Sequence, residues 1–324
     1  MQAAIRFSVF FLSVYLGIPS GVDAQNWSIA LHGGAGSSSD RLTEQQRAQR
    51  IASLERALKI GADHLSEGGT SLDAVEKVIR YLEDSPIFNA GKGAVFNAVG
   101  SHQLDASIMD GQMLSCGAVA GVTVAKNPIS VARLVMTKTR HVLLANDGAD
   151  RFAADNKVEL VDADYFWTPA LRKQFKRLSK KDVNRKEAVE KGTVGCVALD
   201  TDGNLAAGTS TGGLVMKKFG RVGDSPIIGA GTYANNKTCA VSCTGIGEEY
   251  IRHSIAYSIS ARMQLVGDDV ATAVSHAIKT TLKPGDGGII AVSKSGDIAV
   301  DYNTPGMSFG YANSKGKFVA GLEK

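Results

Sequence analysis

The sequence predicts an α+β fold with helices packed outside antiparallel sheets, and three observations lead there. Strand candidates meet across Asp202-Gly203 and across Ser295-Gly296-Asp297, tight connections that make antiparallel hairpins. Long segments of helical period lie between the strand clusters instead of alternating with single strands, which argues against a doubly wound parallel sheet. Once an N-terminal segment of the 324 residues is set aside, roughly 300 remain, enough for one large domain with a full core or two small ones.

That segment comes first. Arg6, an apolar run from Phe7 to Ile18 and the small-x-small pattern Val22-Asp23-Ala24 read as a secretory signal peptide, residues 1–24, so the chain is expected to be exported and to start near Gln25. The run is too short to span about 30 Å of bilayer as a helix, and no membrane association is expected after it is removed.

A first strand is expected over Ser28 to Leu31. Arg41 to Gly68 then puts Ile51, Leu54, Leu58 and Leu65 on one helical face, and Thr70 to Asp84 opens with a Thr70-x-x-Asp73 cap before Leu72, Val75, Ile79 and Leu82. After a strand at Ala118 to Val124, Asn127-Pro128 starts another helix with proline at its first position. The stretch from Leu171 to Lys191 holds much of the excess behind the formal charge of +4. With only Phe175 for base stacking and no binding module around it, it reads as part of an exposed, mobile linker over about 150–192 and not as a nucleic-acid site.

Strands follow at Val194 to Leu199 and Leu205 to Ser210, helices at Glu248 to Val266 and Asp268 to Leu282, and strands at Ile289 to Ser293, Ile298 to Tyr302 and Phe318 to Gly321. The cysteines, Cys116, Cys196, Cys239 and Cys243, sit among small or β-forming neighbours and read as buried free thiols. Cys239 and Cys243 share a strand-like run that separates their Cα atoms by roughly 13 Å, beyond disulfide reach.

The chemistry centres on Gly192-Thr193, which follows a charged stretch and opens the apolar run Val194-Gly195-Cys196-Val197. A cut there gives Thr193 a free α-amine beside its own hydroxyl, so one residue supplies attacker and base. A rival pattern is Gly208-Thr209-Ser210-Thr211-Gly212, which matches the G-x-S-x-G elbow of serine esterases, with His32-Gly33-Gly34 resembling their oxyanion loop and Asp224 followed by His253 or His276 available for a triad. An elbow needs a parallel strand running into a helix, whereas Ser210 ends the second arm of a hairpin.

Further motifs stand in order: His32-Gly33-Gly34-Ala35-Gly36, Phe88-Asn89-Ala90-Gly91-Lys92-Gly93, Leu104-Asp105-Ala106, Met109-Asp110-Gly111, Gly192-Thr193-Val194-Gly195, Thr209-Ser210-Thr211-Gly212-Gly213, Gly220-Arg221-Val222-Gly223-Asp224-Ser225-Pro226 and Ser242-Cys243-Thr244-Gly245-Ile246-Gly247-Glu248. This series closely resembles the plant-type asparaginases, or isoaspartyl peptidases, of the N-terminal nucleophile hydrolase superfamily, over essentially the whole chain after the leader.

The resemblance implies a four-layer αββα sandwich, self-cleavage into an α chain (25–192) and a β chain (193–324), and assembly of two such pairs. It implies Thr193 as nucleophile, Thr211 as the group tuning it, Asn89 as its anchor, and the Thr244 hydroxyl with the Gly245 amide as oxyanion hole. Arg221 and Asp224 would hold the α-carboxylate and α-ammonium of a β-aspartyl substrate, with the Gly247 carbonyl added to the ammonium site. Gly192 would take a strained backbone at the cut. The loop Leu82 to Lys92 resembles the family's sodium loop, with the carbonyls of Leu82, Glu83, Ser85, Phe88, Ala90 and Lys92 as donors; no organic cofactor is implied. The six histidines lack H-x-x-x-H spacing, and His32 reads as a satisfied buried histidine.

Within the superfamily the nearest alternative is glycosylasparaginase, whose nucleophile is typically preceded by Asp and followed by Ile-Gly, where this chain has Gly192 and Val194-Gly195. A third reading is an exported protein that binds amino acids through Arg221 and Asp224 without cleaving them.

Overall fold

The computed structural model describes residues 26–36, 42–180 and 192–323. The expected leader and residues 181–191 of the expected linker lie outside the described residues. The strands are β1 (Ser28–Gly36), β2 (Leu104–Asp110), β3 (Cys116–Val122), β4 (Leu143–Ala145), β5 (Val194–Leu199), β6 (Leu205–Thr211), β7 (Thr232–Ala234), β8 (Cys239–Gly245), β9 (Gly287–Ser293), β10 (Ile298–Tyr302), β11 (Gly306–Asn313) and β12 (Phe318–Gly321). One sheet has the order β12-β11-β1-β5-β6-β2-β3-β4 and is antiparallel except where β3 meets β4; the other, β10-β9-β8-β7, is antiparallel throughout.

The period of two along each central strand sorts side chains into layers. On β5, Val194, Cys196 and Ala198 join a core with Leu54 and Leu58 of α1 (Glu44–Ser66) and Val75 and Ile79 of α2 (Ser71–Asp84), while Val197 and Leu199 join one with Ile290 and Val292 of β9. The far face of the small sheet packs Val241 and Ile289 against Ile255 and Ile259 of α7 (Ile255–Leu265) and Val274 of α8 (Val270–His276). Helix, sheet, sheet and helix thus stack around three cores, the αββα sandwich.

The expected cap at Thr70 forms, α3 (Pro128–Lys138) starts on its proline as expected, and a cap at Thr43 adds to them. Thr43 and Gln46 make a reciprocal capping box on α1, and Thr70 Oγ1 accepts from Asp73 N at 3.1 Å at the start of α2, each cap contributing about 1 kcal/mol. The hairpin at Asp202-Gly203 closes because Asp200 Oδ1 accepts from Asp202 N and Asn204 N.

Four differences follow from tertiary context. Strands β2 and β11, like the short β4 and β7, were not expected: β2 is buried on both faces while carrying Asp105 and Ser107, and β11 has Gly306 and Gly310 in its sequence. The helix expected over Glu248 to Val266 breaks at Ser254, whose φ of 47° ends α6 (Gly247–His253) before α7 begins. Strand β1 runs past Leu31 to Gly36 with a register shift between His32 and Ala35. The expected linker is helical over much of 150–180: α4 (Asn146–Asp155) overlaps its start, and α5 (Pro169–Leu178) packs Leu171, Phe175 and Leu178 against Phe96.

Candidate active site

Thr193 is buried at the mouth of β5, and β6 beside it delivers Thr211 through the register Val194 to Ser210. In the uncleaved chain the Gly192 carbonyl oxygen is where donors converge. It accepts from Asn89 Nδ2 at 2.8 Å and lies 2.7 Å from Thr193 Oγ1 and 3.1 Å from Thr211 Oγ1. The two hydroxyl oxygens are 3.1 Å apart, and Gly213 N donates to Thr211 Oγ1 at 3.0 Å.

Asn89 ties this corner together. Its Nδ2 also donates to Gly213 O at 2.8 Å, and its Oδ1 accepts from Val95 N at 2.8 Å. The glycine at 192 is needed for room: it is not among the residues of positive φ, but a Cβ there would stand 2.8 Å from Asn89 Cβ. The strained backbone expected at Gly192 is therefore replaced by crowding. Gly34, at φ 105°, carries the positive angle instead, and a Cβ on it would meet Gly192 Cα at 2.8 Å.

On the other side of the corner, Ala35 N donates to the buried Thr244 Oγ1 at 3.3 Å. Gly245 ends β8 at φ 153°, a backbone that favours glycine. Gly247 begins α6 wedged between the two expected clamp residues, since a Cβ there would lie 2.8 Å from Asp224 Oδ1 and 2.9 Å from Arg221 Nη2.

Asp224 is buried, and that burial pushes its carboxyl up to about 7 despite the nearby Arg221 guanidinium. Its Oδ2 has no hydrogen-bond partner among the described residues. Arg221 is not bonded to Asp224. Its guanidinium forks onto Glu248, Nε to Oε1 at 3.0 Å and Nη2 to Oε2 at 2.9 Å. The sequence reading treated Glu248 only as the entry to a helix; its position one residue after Gly247 was the signal available.

The esterase arrangement does not assemble. Ser210 points to the helix side of β6, where its hydroxyl donates to Glu83 Oε1 at 2.6 Å, and His253 sits on α6 beside Glu249. Glu83 is a second residue the sequence reading missed as a side chain. Its carboxyl is buried, takes Ile129 N at 3.1 Å, and is pushed up to about 8 by burial. In the loop after α2, Ser85 N donates to Leu82 O, and Ala90 N to Phe88 O. A Cβ at Gly91 would fall on the Glu83 carbonyl oxygen, and one at Gly93 on the Phe88 oxygen, so the loop folds its carbonyls inward onto glycines.

His32 is fully buried and satisfied, as expected. Nδ1 lies 2.9 Å from Thr193 O and Nε2 3.0 Å from Ser242 Oγ, and burial lowers its pKa to about 4. The cysteines are free thiols; Cys196, Cys239 and Cys243 are buried and Cys116 is partly exposed. Among the described residues no helix is long and apolar enough to cross a membrane.

By sequence, this chain is similar to known proteins. The family described as Asparaginase matches residues 25–321. The isoaspartyl peptidase of Escherichia coli (strain K12) is 44% identical over 297 residues, covering 88% of this chain and 92% of its own. The isoaspartyl peptidase/L-asparaginase of Bos taurus is 41% identical over 301 residues (91% and 96%), and that of Xenopus laevis 42% over 284 residues (87% and 90%). With nearly all of both chains aligned, this chain belongs to the asparaginase family.

Proposed function

We propose that this protein is a self-processing threonine amidohydrolase that releases L-aspartate from β-aspartyl peptides and from L-asparagine. The observation that carries the reading is the Gly192 carbonyl, held by Asn89 and Thr211 with Thr193 Oγ1 at 2.7 Å. In processing, Thr193 Oγ1 attacks the Gly192 carbonyl carbon, and Asn89 Nδ2 and Thr211 Oγ1 meet the oxygen as it becomes negative. The C–N bond breaks, nitrogen takes the hydroxyl proton, and water hydrolyses the resulting ester to leave Gly192 as a carboxylate and Thr193 with a free amine.

That amine, with a reference pKa of about 7.7 to 8.0, is partly neutral at physiological pH and serves as the base in turnover. Thr193 Oγ1 then attacks the β-carbonyl of the substrate, and the Thr244 hydroxyl and Gly245 amide receive the oxyanion. The leaving amine departs protonated, and water cleaves the acyl-enzyme to aspartate. Arg221 takes the substrate α-carboxylate, for which Glu248 must share the guanidinium. Asp224 Oδ2 and the Gly247 carbonyl take the α-ammonium.

The inward carbonyls of the loop from Leu82 to Lys92, hard neutral oxygens, suit a sodium ion that would stiffen the loop bearing Asn89. Pairing of two processed αβ units and export directed by residues 1–24 complete the proposal; export rests on that N-terminal pattern alone.

An intact-mass spectrum tests the centre of the reading. Two fragments are expected, one beginning at Thr193, and Thr193→Ala is expected to leave one unbroken, inactive chain; a processed or active T193A protein would sink it. β-Aspartyl dipeptides, asparagine and glycoasparagine assayed side by side decide the substrate, and dominant glycoasparagine cleavage would move the assignment to glycosylasparaginase.

A further inference from the structure

Behind the nucleophile runs a row of buried hydroxyls for which the reaction above has no use. From His32 Nε2 it passes to Ser242 Oγ at 3.0 Å, to Thr209 Oγ1 at 2.7 Å, to Thr232 Oγ1 at 2.6 Å and to Ser107 Oγ at 2.8 Å. It ends at the Ser225 carbonyl, 2.6 Å from Ser107 Oγ and one residue from Asp224. All five side chains are fully buried. Gly195 gives the row its passage, because a Cβ there would fall on both Ser242 Oγ and His32 Nε2.

The row has a direction. A carbonyl oxygen only accepts, so the contact from Thr193 O to His32 Nδ1 at 2.9 Å requires a proton on Nδ1. Burial disfavours the charged ring, which leaves Nε2 bare. Nε2 must then accept from Ser242, Ser242 from Thr209, and Thr209 from Thr232. The Gly231 carbonyl, 3.2 Å from Thr209 Oγ1, already accepts from Cys243 N at 2.9 Å and does not compel Thr209 to turn away. The opposite tautomer would set the Nδ1 lone pair against the Thr193 oxygen, a repulsion that burial strengthens.

We propose that His32 is a positioning residue: as its neutral Nδ1–H tautomer, fixed by the buried hydroxyls of Ser242, Thr209, Thr232 and Ser107, it holds the carbonyl of Thr193 in place. The inference rests on Thr193 being the nucleophile. Cutting after Gly192 makes Thr193 a chain terminus, and termini loosen unless tied down. A grip on its carbonyl fixes the peptide plane from which both the α-amine and the hydroxyl project, so attacker and base keep their mutual geometry when the tether to Gly192 is gone.

Two measurements test this and separate it from the nucleophile assignment. Long-range proton–nitrogen correlation NMR on wild-type protein labelled with 15N-histidine, with His32 assigned by its loss in His32→Asn, should show a protonated Nδ1 and a bare Nε2 at neutral pH. A proton on Nε2 overturns the proposal whatever Thr193 does. In processed enzyme, His32→Asn keeps an amide donor near the Nδ1 position and should hold kcat within about fivefold, whereas His32→Gln, which reaches the Nε2 position, should lower kcat about 10- to 100-fold with KM within about threefold. Equal losses in the two variants, or a loss carried by KM, overturns it. Should those variants not fold, Ser242→Ala, which strips Nε2 of its partner and frees the ring to swing, is expected to lower kcat at unchanged KM while Nδ1 keeps its proton; an unchanged kcat, or a proton moved to Nε2, overturns it. An active, processed T193A protein alongside the expected tautomer would sink the nucleophile reading alone.

Discussion

The two halves of the site are built from different physics. Around the Gly192 carbonyl every group is neutral: Asn89, Thr211, Thr193 and the backbone of Gly213. Around the proposed substrate clamp nearly every group is charged or titratable: Arg221, Glu248 and Asp224, with the buried Lys217 and Asp105 close by at 3.9 Å from each other. Neutral hydrogen bonds fix geometry without responding to pH or salt. Paired and orphaned charges fix geometry less strictly, but they respond to the charge of what binds. Rate should therefore be set at the first region and recognition at the second.

The sharpest way to break that division is Thr211→Val, which keeps the shape and removes the hydroxyl next to Thr193. Single-turnover and steady-state assays should show kcat down about 10²- to 10³-fold with KM little changed, and slower appearance of the Thr193 fragment. A change confined to KM would place Thr211 with the clamp instead. In the second region, Arg221→Lys keeps the charge but cannot fork onto two carboxylates, and kcat/KM should fall about 10²-fold, mainly through KM. An unaltered KM would mean that the guanidinium serves Glu248 alone.

The smaller effects concern protons. Asp224 is held up to about 7 by burial, so a substrate ammonium must meet it ionised. KM for a β-aspartyl dipeptide should fall as pH rises through that value, and Asp224→Asn should abolish the dependence along with most of the affinity. Glu83 sharpens the contrast from behind β6. Its folded pKa of about 8 lies above the ordinary glutamate value of 4.5, so the native state holds a proton that the unfolded state releases between those values. Stability should therefore decline as pH rises across that window, by on the order of a few kcal/mol. Denaturant titration of Glu83→Gln should show a flatter pH profile; a profile as steep as wild type would assign the slope to other groups.

Legibility followed the same line between local and non-local causes. The caps at Thr43 and Thr70, the periodic faces of α1 and α2 and the Asp202-Gly203 turn depend on neighbours within a few residues, and the structure has them. Helix α5 was legible too, through Leu171, Phe175 and Leu178 at spacings of four and three, but its basic residues drew the reading toward a linker. Strand β2 was not legible, because a central strand buried on both faces does not alternate, and Asp105 and Ser107 make it look exposed. Glu248 was hidden for a related reason: nothing along the chain says that a carboxylate at a helix start faces an arginine 27 residues earlier.

By itself the sequence singled out the residues proposed to carry the chemistry, since Thr193, Thr211, Asn89, Arg221, Asp224 and the Thr244-Gly245 turn are motif positions. It also determined the helices and hairpins, whose energetics are local. Only the tertiary structure decided that Ser210 turns away to Glu83, that Arg221 rests on Glu248, and that His32 touches the Thr193 carbonyl across 161 residues of chain. Hydrogen-bond partners and burial are properties of the packed sandwich, fixed when the two sheets close on each other, and no local preference of the chain encodes them.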